Sequence, residues 1–261
     1  MPHAAALYRY PVKGFTPESR DTLTVTPQGR IAGDRVLGFR FADTSEPDEA
    51  WSSKFGMLVL VNTPGLARLR LSFDDAASRL RITCDGERLV DEPLDAEGRR
   101  RISEAVAAFA IGLDETPLKG HPERMPLRLI GDGVTPRYQD RPDGYVTLHG
   151  RNSVIALGQA LNTELSELRF RSNVAIDGLH PFEEQEWIGR ELRLGSTRFR
   201  VHAPIRRCLA THANPQSGER DQPILTTLTR RLGQEEPTLA VALVPLGPGE
   251  IHVGDELALE A

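Results

Sequence analysis

Arg198-Phe199-Arg200-Val201, running on through His202-Ala203-Pro204-Ile205-Arg206-Arg207 to Cys208, is the stretch from which the rest of the chain is read. Its first four residues have the make-up of a strand. That strand leads to one thiol with two guanidinium groups immediately before it. Fixed positive charge favours the thiolate, the form of cysteine that attacks or ligates metals. Soft sulfur also suits a polarisable metal-sulfur centre better than a carboxylate does. The competing reading is a buried, inert cysteine on a strand end, and Cys84 takes that reading.

Further strand candidates flank this one: Arg169 to Ile176, Glu191 to Leu194, Ala240 to Val244 and Glu256 to Leu259. The first half adds Ala6 to Tyr10, Thr22 to Thr26, Val36 to Phe41, Met57 to Asn62, Ala67 to Phe73 and Leu80 to Thr83, with turns at Pro27-Gln28-Gly29 and Asp85-Gly86. Helices are few. Ile102, Val106 and Phe109 share a face over Ala96 to Ile111, with Gly112 at its end. Val154, Leu157 and Leu161 do so over Ser153 to Leu161, with Asn152 as N-cap. The third expected helix is Gln222 to Leu232, capped by Asp221, with Pro223 in its first turn and Gly233 past its end. Many short strands with few helices indicate barrel-like β domains and not an alternating α/β sheet. Pro117, Gly120, Pro122 and Pro126 punctuate Asp114 to Pro126, which places a domain boundary there.

Composition excludes several classes. The 261 residues suffice for one large or two small domains, and no apolar run reaches the roughly 18 residues of a membrane span. With no secretory leader at Met1 to Val12, the expected compartment is the cytoplasm. Two cysteines without a CxxC pair exclude a disulfide framework and a cysteine-rich zinc or iron-sulfur site. A net charge of -5 argues against sequence-independent nucleic-acid binding. Phosphate-loop, dinucleotide-loop, nucleophile-elbow and HExxH signatures are missing from the sequence. Glu183-Glu184-Gln185-Glu186 reads as a solvated turn, and His149, His202 and His212 as surface or packing residues.

Basic residues recur in distinctive settings: Tyr10-Pro11-Val12-Lys13, Gly33-Asp34-Arg35, Arg169-Phe170-Arg171-Ser172-Asn173, and Arg207-Cys208 followed by Asn214-Pro215-Gln216-Ser217-Gly218-Glu219. Several converging on one pocket would make an anion site, but spacing alone does not establish convergence. In this order, closing with Ile251-His252-Val253-Gly254-Asp255-Glu256-Leu257, they closely resemble MOSC proteins over nearly the whole chain.

The resemblance implies a mainly β, α+β fold: an N-terminal MOSC-type β-barrel domain over residues 1–115 packed on a MOSC β-barrel domain over residues 116–261. It implies Cys208 as the molybdenum ligand, and Lys13, Arg35, Arg171 and Asn173 as holders of the pterin and phosphate of a molybdenum cofactor in its molybdopterin form. Arg207 accompanies the cysteine, and Ser153 is a weaker candidate. Gly14-Phe15 stands where many relatives have Ser-Cys, so backbone donors at Gly14 would substitute.

By resemblance to the amidoxime-reducing component and its bacterial relatives, the expected activity is molybdenum-dependent reduction of N-hydroxylated or N-oxide-type small molecules. The sequence carries no fused ferredoxin-like or aminotransferase-like domain, so electrons are expected from a separate ferredoxin- or flavoprotein-type donor, with no nucleic-acid or membrane partner. The alternative is sulfur transfer through a persulfide on Cys208, or a cofactor carrier.

Overall fold

The computed structural model describes residues 1–260, so Ala261, the last residue of the expected second domain, lies outside the described residues. Its strands are β1 (His3–Arg9), β2 (Glu18–Arg20), β3 (Thr22–Val25), β4 (Gly38–Arg40), β5 (Leu69–Asp74), β6 (Arg79–Cys84), β7 (Glu87–Pro93), β8 (Arg128–Ile130), β9 (Val146–Gly150), β10 (Val174–Asp177), β11 (Glu191–Leu194), β12 (Thr197–Arg206), β13 (Thr238–Pro245), β14 (Gly249–His252) and β15 (Leu257–Leu259). The longer helices are α1 (Ala96–Ile111) and α2 (Arg151–Leu161). The chain is thus mainly β with few helices, as its sequence indicates.

An eight-stranded sheet in the order β15-β11-β12-β13-β9-β10-β1-β2 carries the site. Antiparallel pairing dominates it, but β9 and β10 run parallel, with Val174 opposite Leu148. Parallel neighbours need a long crossover, and α2 with the turn Glu167–Phe170 supplies it. That crossover delivers Arg169 to Asn173 to the start of β10. Central β13 is buried along Thr238 to Leu243 because it is covered on both faces. Val241 and Leu243 join a core with Leu7, Leu148, Val174 and Phe199. Leu239 and Ala240 face a second cluster with Val154, Leu157, Phe170 and Leu228.

The other layer is the antiparallel sheet β5-β6-β7 with α1. Leu69, Leu71 and Phe73 alternate inward along β5 and meet Ile102 and Val106. Asp95 caps α1 by accepting from Gly98 N at 2.7 Å.

Strands pair across the expected division at 115/116. β1 pairs with β10, β3 with β14, and β4 with β8. Leu7, Leu23, Val25 and Ile31 accordingly belong to the core built by the second half of the chain. An open strand edge takes whichever backbone satisfies its N–H and C=O groups, and sequence order does not restrict that choice.

Local corrections have local causes. Met57 to Asn62 forms no strand beyond a bridge from Met57 to Arg40. Asn62 takes over its backbone bonds instead, accepting from Val59 N at 3.0 Å and donating to Met57 O at 2.9 Å. In Arg169 to Ile176 only Val174 onward is strand, because the residues before it form the crossover turn. The third helix begins at Ile224 with Pro223 as its cap, and Thr227–Arg231 winds as a π turn. Asp221, the expected cap, accepts instead from Arg169 at 2.7 and 2.9 Å. Gly150 caps α2, while Asn152 donates to Leu179 O at 2.6 Å. β2, β7, β8, β9 and β14 carry no strand expectation. β7 is mostly polar and half-exposed, and β8 is only three residues long.

Candidate functional site

One pocket gathers Lys13, Arg35, Arg171, Arg207 and Cys208, with Gly14, Lys54, Tyr138, Asp140, Thr147, Arg169 and Phe170 around them. The first five come from four separate stretches of sequence. β1 ends at Arg9 and sends Tyr10 to Gly14 along the wall; β12 ends at Arg206 and delivers Arg207 and Cys208. Arg207 N donates to Pro237 O at 2.8 Å, and its guanidinium donates to Phe170 O at 2.6 Å. The Cys208 carbonyl accepts from Thr211 N at 3.0 Å and Thr211 Oγ1 at 2.9 Å, which fixes the backbone while leaving the half-buried thiol free.

Lys13 is buried, and its Nζ donates to the carbonyls of Tyr138 and Gln139, each at 3.0 Å, with Asp140 at 3.5 Å. Burial pushes its ammonium down from the ordinary lysine value, against the pull of Asp140. Burial also lowers Arg207, and Cys208 and Asp140 oppose that shift. Buried N–H groups at Arg207 Nε and Arg169 Nε have no acceptor among the described residues. Uncompensated buried donors are rare. An anionic ligand is the natural acceptor, so the donor set fits an anionic, metal-bearing cofactor: several cations, free N–H groups and one soft thiol.

Asp34 explains why the separated basic stretches meet. This carboxylate is 2% exposed. Its Oδ1 accepts from Tyr10 N at 2.8 Å and Asn173 Nδ2 at 3.3 Å, and its Oδ2 accepts from Arg35. One acid thereby ties together three of the stretches that the sequence leaves apart. The clue lay in its place immediately before Arg35, but nothing in the spacing shows that the carboxylate turns inward.

Two expected contributors lie elsewhere. Asn173 is fully buried beneath the pocket, where it bonds Thr147, Tyr8 O and Asp34. Its place is structural support behind the wall. Ser153 is also fully buried and outside the pocket lining. It donates to Glu184 Oε2 at 2.8 Å and accepts from Phe182 N at 2.7 Å. Glu184 departs from the solvated-turn reading: it is fully buried, and burial pushes its carboxyl up from the usual range. Tyr10, Arg169, Phe170, Tyr138 and Asp140 were not singled out as site residues, since their part depends on long-range packing.

Glu167 anchors the turn beneath the pocket. It accepts from Tyr8 Oη at 2.7 Å and Arg151 Nε at 2.8 Å, with the buried His149 Nε2 at 3.6 Å. Although burial opposes it, the nearby His149 ring and the hydrogen bonds from Arg151 and Tyr8 hold its carboxyl down to about 2, against 4.5 ordinarily. A carboxyl lowered by folding stabilises the fold above its unfolded value, and that contribution fades as pH falls through the folded one. Glu167→Gln should cost about 2 kcal/mol at neutral pH after allowance for solvent screening. The gap from wild type should close between about pH 4.5 and pH 2 in urea melts; a gap independent of pH would refute the assignment.

The MOSC domain family matches residues 135–258. Molybdenum cofactor sulfurase from Bos taurus is 34% identical over 96 residues, covering 32% of this chain and 11% of that protein. The Homo sapiens sulfurase is 40% identical over 62 residues, covering 24% of this chain and 7% of its own length. This chain thus spans about a tenth of the curated relatives it matches. Among solved structures, the YUAD protein from Bacillus subtilis covers 98% of this chain and 94% of its own at 13% identity, with a TM-score of 0.48. The matched region holds Arg171, Arg207 and Cys208, and over those residues the chain is similar to MOSC domains.

Proposed function

We propose that this protein is a molybdenum-cofactor-dependent oxidoreductase that reduces N-hydroxylated or N-oxide-type small molecules. The observation that carries the reading is the convergence of Cys208 with Lys13, Arg35, Arg171 and Arg207 on one pocket. The cofactor would supply two-electron redox chemistry at its metal. The Cys208 thiolate would hold that metal, and the four cations would bind the anionic pterin and its phosphate. Asp34 and Asn173 keep the cationic wall in place from behind. For an N-hydroxyl substrate the balanced change is N–OH plus two electrons and two protons to N–H plus water. Electrons would come from a separate ferredoxin- or flavoprotein-type donor in the cytoplasm. Among the described residues no helix is long and apolar enough to cross a membrane.

The names of the matched relatives favour a second reading, sulfur transfer through a persulfide on Cys208. The test is molybdenum and pterin content of protein made in a molybdate-supplied, cofactor-competent host, followed by single-turnover oxidation of the chemically reduced protein by benzamidoxime. Cofactor-loaded protein that is reoxidised, with benzamidine formed, supports the reductase. Cofactor-free protein with a trappable persulfide supports sulfur transfer.

A further inference from the structure

Two guanidinium groups of the pocket lie against one aromatic ring. Arg35 Cζ is 4.4 Å from the Tyr10 ring centroid, and Arg171 Cζ is 4.5 Å from it. Tyr10 is fully buried, and its hydroxyl donates to Ser172 O at 3.2 Å. Its backbone is tied on both sides: Tyr10 N donates to Asp34, and Tyr10 O accepts from Arg35 N at 2.6 Å. Both arginines have left-handed backbones, with φ of 52° at Arg35 and 55° at Arg171. Such conformations cost free energy outside glycine and persist where surrounding contacts dictate them.

The side chains are held as firmly. Arg35 donates to Asp34 and to Arg171 O at 3.2 Å, and Arg171 donates to Phe15 O. Like charges so close repel: burial, and Arg35 beside it, push Arg171 down to about 10. The electron-rich ring face attracts both cations and offsets part of that repulsion.

We propose that Tyr10 is a positioning residue, whose ring stacks Arg35 and Arg171 into a preformed two-guanidinium clamp for a phosphomonoester dianion. The proposal rests on the anion-pocket reading of the site. Planar guanidinium forks match phosphate oxygens bidentately, and a shared ring sets both forks before the anion arrives. The ring acts through its π face, so its hydroxyl is dispensable for the clamp.

The test is titration of cofactor-free wild type, Tyr10→Phe and Tyr10→Leu with inorganic phosphate by calorimetry, beside thermal melts. Pterin content of the same variants from a cofactor-competent host is the second arm. Tyr10→Phe should bind phosphate as wild type does, and Tyr10→Leu about tenfold or more weakly. Unchanged phosphate affinity in Tyr10→Leu, with only the melting temperature lowered, would overturn the proposal, because a ring that merely fills the core would behave so.

Should Tyr10→Leu not fold, Arg171→Lys decides: it keeps the charge and loses the stacking plane, and undiminished phosphate binding would overturn the clamp. Wild type that loads pterin but binds no phosphate also overturns it, leaving the cofactor reading intact. Ring-dependent phosphate binding without pterin loading supports the clamp, assigns it to another phosphate source and removes the cofactor reading.

Discussion

Cys208→Ala should lose nearly all bound molybdenum while remaining folded. The thiol is half-buried and the local backbone is held through the Cys208 carbonyl, not the sulfur. Removing the sulfur therefore opens no large cavity and leaves no buried partner unsatisfied, and a stability change within about 1 kcal/mol is expected. Metal retention is another matter, because the pocket offers no second soft ligand. Molybdenum per protein, measured by mass spectrometry on gently purified material, should fall about tenfold or more, whereas pterin bound through the cations should fall less. Cys208→Ser, nearly isosteric but with a harder oxygen, should resemble the alanine variant. Full molybdenum occupancy in Cys208→Ala would remove Cys208 from the ligand role.

Asp34→Ala should give the largest loss of stability among the site variants. The carboxylate is 2% exposed and joins Tyr10 N, Arg35 and Asn173. Without it, a largely buried guanidinium loses its ion-pair partner and two further donors lose an acceptor. Breaking a buried pair from one side costs about 3–5 kcal/mol, against a total stability of about 5–15 kcal/mol for ordinary proteins. Asp34→Asn retains an acceptor oxygen but not the charge, and should fall between wild type and the alanine variant in urea unfolding. A loss below about 1 kcal/mol for Asp34→Ala would mean that the three stretches are held together by other contacts.

Much of the site was legible because its chemistry is local. A thiol following two arginines is distinctive without a fold, as is a lysine after Tyr-Pro-Val, and Lys13, Arg35, Arg171, Arg207 and Cys208 do share one pocket. Ser153 and Asn173 show where local reading stops. Both are polar and near basic residues, yet both spend their hydrogen bonds inside the protein, on Glu184 and on Asp34 with Thr147. Glu184 makes the same point from the other side, since an acidic run reads as solvated until packing buries one member.

The amino-acid sequence by itself determined the class of the protein: a mainly β chain with few helices, a single chemically prominent cysteine, and basic residues in distinctive local settings on a chain that is acidic overall. Those properties follow from periodicity, turn residues and side-chain chemistry, which act over a few residues. Only the tertiary structure decided that β1 pairs with β10, that β3 pairs with β14, and that one inward carboxylate and one aromatic ring lie against the cations. Strand partners and buried ion pairs are chosen by the global balance of burial against unsatisfied polar groups, and that balance exists only once the whole chain has folded.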